Sequence, residues 1–114
     1  MMRRPRVRAL IRRGGADTAT VAGPLRLDPA SHSATCNGET VDLTPTEFRL
    51  LALLASRPGE NLHRRRLVGA AWPEGAIVHD NTLDVYIARL RRKLRDCDGA
   101  PRIVTVHRVG YRLQ

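Results

Sequence analysis

Lysine is almost missing from this chain: of its 20 cationic residues, all but Lys93 are arginine. Aromatic rings are scarce too, only Phe48, Trp72, Tyr86 and Tyr111 being present. That poverty argues against a surface that stacks the unpaired bases of single-stranded nucleic acid, since Phe48 and Tyr111 fall on apolar faces. Two cysteines, Cys36 and Cys97, form no CxxC or other compact ligand cluster, so a reduced chain in the cytoplasm is expected. The longest apolar run, LLALLA at 50–55, is far too short to span a bilayer, and no membrane partner is expected. His32, His63, His79 and His107 are scattered, and no Ser or Cys stands in a nucleophile motif. Neither catalysis nor a cofactor is therefore expected, and His32 with Cys36 is too thin a set for a metal.

What is present is positive charge, unevenly placed. A chain of 114 residues with 42% hydrophobic residues supports one small domain, and its net charge is +9. Residues 1–13 carry six arginines and no acid, 14–88 sum to −3, and 89–114 sum to +6. Arginine forks match phosphate oxygens and guanine edges, which suits DNA. GC-rich coding would produce the same bias without function.

The stretch NTLDVYIARLRRKLR, 81–95, has five cations in its last seven positions. At helical spacing Leu83, Ile87, Leu90 and Leu94 share one narrow sector. Val85, Arg89 and Arg92 then point the other way, with Asn81 and Thr82 nearby and Lys93 and Arg95 on the flanks. Asp84 is the only acid in the stretch. A solvated helix face usually mixes signs, so this cationic ridge points to a polyanionic partner.

The remaining segments are consistent with a winged helix-turn-helix of α+β class. The Arg-rich start has an apolar run of only Ala9, Leu10 and Ile11, too short for a secretory signal. Residues 1–13 read as a helix stub, 14–23 as a flexible linker and 24–114 as the folded domain. PLRLD alternates, and SATCNGETVDL carries Asn37-Gly38 between two short runs, so an antiparallel sheet opens the domain. In LTPTEFRLLALLASRPG, Thr44 is the N-cap, Pro45 the first helical residue and Glu47 the second half of a capping box, while Leu43 can staple onto Phe48. Phe48, Leu51, Leu54 and Ala55 form its buried face. A second helix, 64–72, turns Leu67, Val68 and Ala71 inward before Pro73. After the ridge helix, IVTVHRVGYRL at 103–113 reads as a closing hairpin turning at His107-Arg108. In such a fold the third helix enters the major groove and the hairpin wing reaches the minor groove.

Residues 43–113 closely resemble the DNA-binding domain of OmpR/PhoB-type response regulators. The resemblance rests on LTPTEFRLLALLASRPGE, RRRLVGAAW, NTLDVYIARLRRKL and IVTVHRVGYRL, in family order and spacing. It implies a sequence-specific regulator of transcription on double-stranded DNA, in tandem copies on direct repeats. Arg89 would read a base beside Thr82, Val85 and Tyr86; Arg91 and Arg92 would contact phosphate; Trp72 would pack near the DNA backbone. Thr105 and His107 match the wing positions, and Arg108 would supply charge beside them. Loop 73–80 matches the segment that contacts RNA polymerase in activators. RVRALIRR, 6–13, looks like the end of a receiver domain, so a sensor kinase would act only through a receiver that this chain lacks. The chain departs from the family pattern where Asn81 replaces Arg, His63 replaces a Ser or Thr cap, and TVHRVGY replaces TVRGVGY, which removes a wing glycine. The rival reading is a non-specific architectural DNA- or RNA-binding protein, separable by the ratio of specific to non-specific affinity.

Overall fold

The computed structural model describes residues 20–114. The helix stub expected at 1–13 and the linker positions 14–19 lie outside the described residues.

The described residues open with an antiparallel meander of four strands, β1 (Thr20–Ala22), β2 (Leu25–Asp28), β3 (Ser33–Cys36) and β4 (Glu39–Asp42), in that spatial order. Strand β1 lies where the sequence suggested the end of the linker. The two-residue loop Gly23-Pro24, with Gly23 at φ 61°, folds the chain back so that Ala22 pairs with Leu25 and Thr20 with Leu27. Too short to show a period of its own, this strand is specified by its neighbour. Asn37-Gly38, at φ 52° and 88°, makes the expected hairpin turn between β3 and β4.

Helix α1 (Pro45–Ser56) begins as expected. The Glu47 amide donates to Thr44 Oγ1 at 3.2 Å, and the Thr44 amide donates to Glu47 Oε1 at 2.9 Å, so two orphan donors are satisfied reciprocally. Besides Phe48, Leu51, Leu54 and Ala55, the helix also buries Leu50. Helix α2 (Arg64–Ala71) stops one residue before the expected Trp72, which is held extended at φ −108°, ψ 150°. Pro73 explains this, since its ring disfavours helical backbone in the residue before it. Helix α3 (Asp80–Leu94) buries Leu83, Ile87, Leu90 and Leu94 as the periodicity requires. Each fully buried leucine contributes roughly 1.5–3 kcal/mol over an exposed one.

Strands β6 (Ile103–Val106) and β7 (Gly110–Leu113) form the closing hairpin. The two-residue strand β5 (Leu62–His63), not anticipated from sequence, joins them in the order β5-β7-β6. This pairing explains Gly110: a Cβ there would lie 2.1 Å from the Leu62 carbonyl oxygen. Only glycine lets β7 approach β5 so closely.

One expectation is corrected. The cysteines do not stand as separate reduced thiols: Cys36, at the end of β3, and Cys97, just after α3, are disulfide-bonded, with Cα atoms 5.8 Å apart. Their separation of 61 residues hid this. Short spacing reveals ligand clusters, whereas a pairing made by tertiary packing leaves no local pattern.

Candidate nucleic-acid interface

With its apolar stripe anchored in the core, α3 turns Asn81, Val85, Arg89 and Arg92 to solvent, and Thr82 and Tyr86 are half-buried beside them. Val85 is 45% exposed, unusual for an aliphatic side chain with a core at hand. Arg89 sits over the Tyr86 ring at 4.8 Å, and Trp72 meets that ring edge-on at 5.1 Å. The exposed cation–π contact stabilises Arg89 by about 0.5–1 kcal/mol and restricts its rotamers. Trp72, at the end of α2, and Tyr86 and Arg89, one turn apart on α3, thus form one stack. Among the described residues, Arg89, Arg92 and Arg95 have no acid within ion-pair distance.

The other charges of α3 are committed inward. Lys93 Nζ donates to Glu47 Oε1 at 2.6 Å and to the Asp42 carbonyl at 3.0 Å, tying α3 to the start of α1. Burial pushes the Glu47 carboxyl up, but hydrogen bonds from Lys93 and the Thr44 backbone outweigh it and hold the group below its ordinary value. The expected flank of the ridge is therefore a structural tie.

Arg91 grips the wing. Its Nε and Nη2 donate to the Ile103 carbonyl at 3.0 and 2.8 Å, and Nη2 donates also to Thr105 Oγ1 at 3.0 Å. The two Nη1 hydrogens keep no partner among the described residues. Asp84, the one acid between Asn81 and Arg95, accepts both ends of the Arg64 guanidinium at 2.8 and 3.2 Å and also the Tyr111 hydroxyl. The hydrogen bond from Arg64, then that from Tyr111, holds the Asp84 carboxyl below its usual range. Burial and the bond to Asp84 push the Tyr111 phenol up. One carboxylate thereby joins α2, α3 and β7.

At the wing tip His107 and Arg108 are both exposed, as is Thr105. Val106 pairs with Gly110 around the loop 107–109, and Arg108 takes φ 64°. The bend carries both side chains to the same end of the hairpin. In loop 73–79, Ile77 is 88% exposed.

Sequence reading missed the first turn of α2. Arg64 and Arg65 line a cleft of about 830 Å³ with His63, His79 and Val109, between α2, α3 and the wing. Three arginines at a helix N-terminus oppose its macrodipole, and no acid offsets them in that turn. Nor does His63 cap the helix with its side chain. The run RRR at 64–66 carried that signal. Arg64 spends its charge on Asp84 and Arg66 lies 3.4 Å from Glu60, while Arg65 faces solvent.

The protein family described as "Transcriptional regulatory protein, C terminal" matches residues 38–113. The chain is 40% identical over 111 residues to the transcriptional regulatory protein AfsQ1 of Streptomyces coelicolor, across 95% of this chain and 49% of that protein. It thus spans about half the length of the curated relatives it matches. Among solved structures, the DNA-binding domain of Escherichia coli CpxR superposes with a TM-score of 0.72 at 35% identity, covering 83% of this chain and 94% of that one. The Klebsiella pneumoniae RstA DNA-binding domain, solved in complex with the RstA box, superposes with a TM-score of 0.69 at 33% identity, covering 84% and 96%. Meander, three helices and wing agree with these matches, and the chain belongs to the OmpR/PhoB-type family of winged-helix C-terminal domains of transcriptional regulatory proteins.

Proposed function

We propose that this domain reads double-stranded DNA sequence-specifically and serves as the effector domain of a two-component transcriptional regulator. The observation that carries the reading is the outward face of α3. There, among the described residues, Arg89, stacked on Tyr86, and Arg92 stand without acidic partners on a helix whose opposite face is fixed in the core. In this reading α3 lies in the major groove, with Arg89 forked to a guanine edge and Thr82, Val85 and Tyr86 shaping the neighbouring contacts. Arg92, and Arg91 through its Nη1 hydrogens, meet phosphates; Trp72 packs beside the DNA backbone. Thr105, His107 and Arg108 bring the wing to the minor groove, and Arg65 adds a phosphate contact across the cleft. Action on chromosomal DNA places the protein in the cytoplasm, and among the described residues no helix is long and apolar enough to cross a membrane.

The neighbour solved on its own DNA box supports this over the non-specific alternative. Tandem binding on direct repeats, a contact between loop 73–80 and RNA polymerase centred on exposed Ile77, and control by a sensor kinase through a receiver domain complete the proposal. Selection of bound duplexes from a random pool tests it. A single enriched motif, bound at least a thousandfold more tightly than random duplex at the same salt, is expected on the scale of specific regulators (~10³ or more). Uniform recovery of all sequences would favour the architectural reading.

A further inference from the structure

The disulfide lies in asymmetric surroundings. Cys36 is 7% exposed, whereas half-buried Cys97 lines an open groove of about 420 Å³. Arg91, Arg95 and Arg102 share that groove with one acid, Asp98. One sulfur is thus open to a small reagent and the other is shielded behind it. The lining would attract an anionic reagent, and reactive cysteines characteristically occupy such electropositive, partly exposed places. The bond also has a particular position. It pins the 95–102 connector, which leads from α3 into the wing, onto the end of β3. Beside it, the Asn37 side chain donates to the Asp98 carbonyl at 2.9 Å, a second and weaker hold on the connector.

We propose that Cys36 and Cys97 form a reversible dithiol–disulfide site, with Cys97 the entry point for an anionic low-molecular-weight disulfide and Cys36 the resolving thiol. The Cys97 thiolate attacks one sulfur of the reagent RSSR, forming Cys97–S–S–R and releasing RS⁻, which takes up the proton Cys97 gave up. The Cys36 thiolate then attacks Cys97 Sγ, closing the protein disulfide and expelling the second RS⁻, protonated in turn. Two protein thiols are oxidised by two electrons, and RSSR is reduced to two RSH. Reversibility rests in part on the proposed function: DNA lies where cellular thiols are kept reduced, and disulfides that form there are usually transient rather than permanent. Oxidised, the site locks the connector to the sheet; reduced, it leaves the Asn37 bond and packing to do so.

The test uses the full chain without DNA, so its result stands apart from that of the DNA reading. The protein is reduced, freed of reductant and exposed to glutathione disulfide, an anionic probe, while intact mass and free thiols are followed. Wild type should lose two hydrogens with only a transient adduct, and millimolar reduced glutathione should reopen the bond. Cys36→Ala should stop at one glutathionyl group on Cys97, and Cys97→Ala should react far more slowly. On reduction, amide exchange should quicken across 95–102 and the melting temperature should fall by about 10 °C. The wild-type measurements need no variant to fold. A bond that millimolar reduced thiol leaves intact, equal reactivity of the two cysteines, or connector exchange identical in both redox states would each overturn the proposal.

Discussion

Arg91 holds the Ile103 carbonyl with two nitrogens of one guanidinium, Nε at 3.0 Å and Nη2 at 2.8 Å, so the first residue of the wing is clamped to α3. The resemblance assigns this arginine to phosphate, and the two roles leave different traces. Arg91→Ala is expected to cost about 1–2 kcal/mol of stability and to speed amide exchange in 103–113. Because its Nη1 hydrogens meet a phosphate in the proposed complex, the salt slope of DNA binding should also fall by the ~1 unit that a lost phosphate contact brings. Arg91→Lys should not restore the wing, because an ammonium cannot reproduce the fork. A full unit of slope with an unchanged wing would return Arg91 to phosphate binding alone.

Arg89→Ala should lose ~1–3 kcal/mol of affinity for the selected DNA motif and little for random duplex, and the fold should be spared because Arg89 is exposed. Equal losses on both, in filter binding at one salt concentration, would reduce Arg89 to a phosphate contact. Tyr86→Ala should produce a smaller specific loss by freeing the arginine rotamer.

The Glu47–Lys93 pair makes stability depend on pH in acid. Glu47 is held below its ordinary value of 4.5, so its contribution is fully present above that pH and vanishes as pH falls through the folded-state value. Glu47→Gln keeps the capping geometry but removes the charge. It should cost about 1–2 kcal/mol at pH 7, a modest figure because Lys93 is 32% exposed. Denaturant melts should show that gap shrinking once pH drops below 4.5. A gap of constant size down to pH 2 would mean the ion pair contributes nothing.

Arg108 sits at φ 64° where related wings commonly carry glycine. Left-handed backbone costs a residue with a Cβ roughly 1–2 kcal/mol, partly offset by the lower unfolded-state entropy of a non-glycine chain. Arg108→Gly should therefore raise stability by about 0.5–1 kcal/mol while weakening DNA binding. A lower melting temperature would show that the arginine is held by contacts strong enough to outweigh the strain.

Gly110→Ala should be severe, about 3 kcal/mol, because the obstruction is the Leu62 carbonyl, a backbone atom that no rotamer change can move. A near-neutral variant would mean that β5 separates from β7 at little cost.

What could be read in advance follows the range of the forces involved. Thr44 and Glu47 lie three residues apart, Asn37 and Gly38 are adjacent, and the α3 stripe repeats every turn, so local pattern exposed them. Strand β5 and Gly110 are parts of one close approach between distant segments, and a two-residue strand has no periodicity to detect. Arg91 and Lys93 sit on a visibly cationic helix, but whether a cation faces solvent or a carbonyl depends on what packs beside it. The Cys36–Cys97 bond was hidden for the same reason. On α3 the exposed face was legible from the periodicity; the division between Arg89, turned outward, and Arg91, turned to the wing, was not.

Trp72 is the chain's one tryptophan, and it rests edge-on against the ring beneath Arg89. Indole emission from this protein therefore originates beside the helix face proposed to read bases. Movement of Tyr86, withdrawal of Arg89 or exclusion of water there would alter its intensity and wavelength. The molecule carries its own optical reporter, so encounters with DNA can be followed on the unlabelled wild-type chain, at the stack itself.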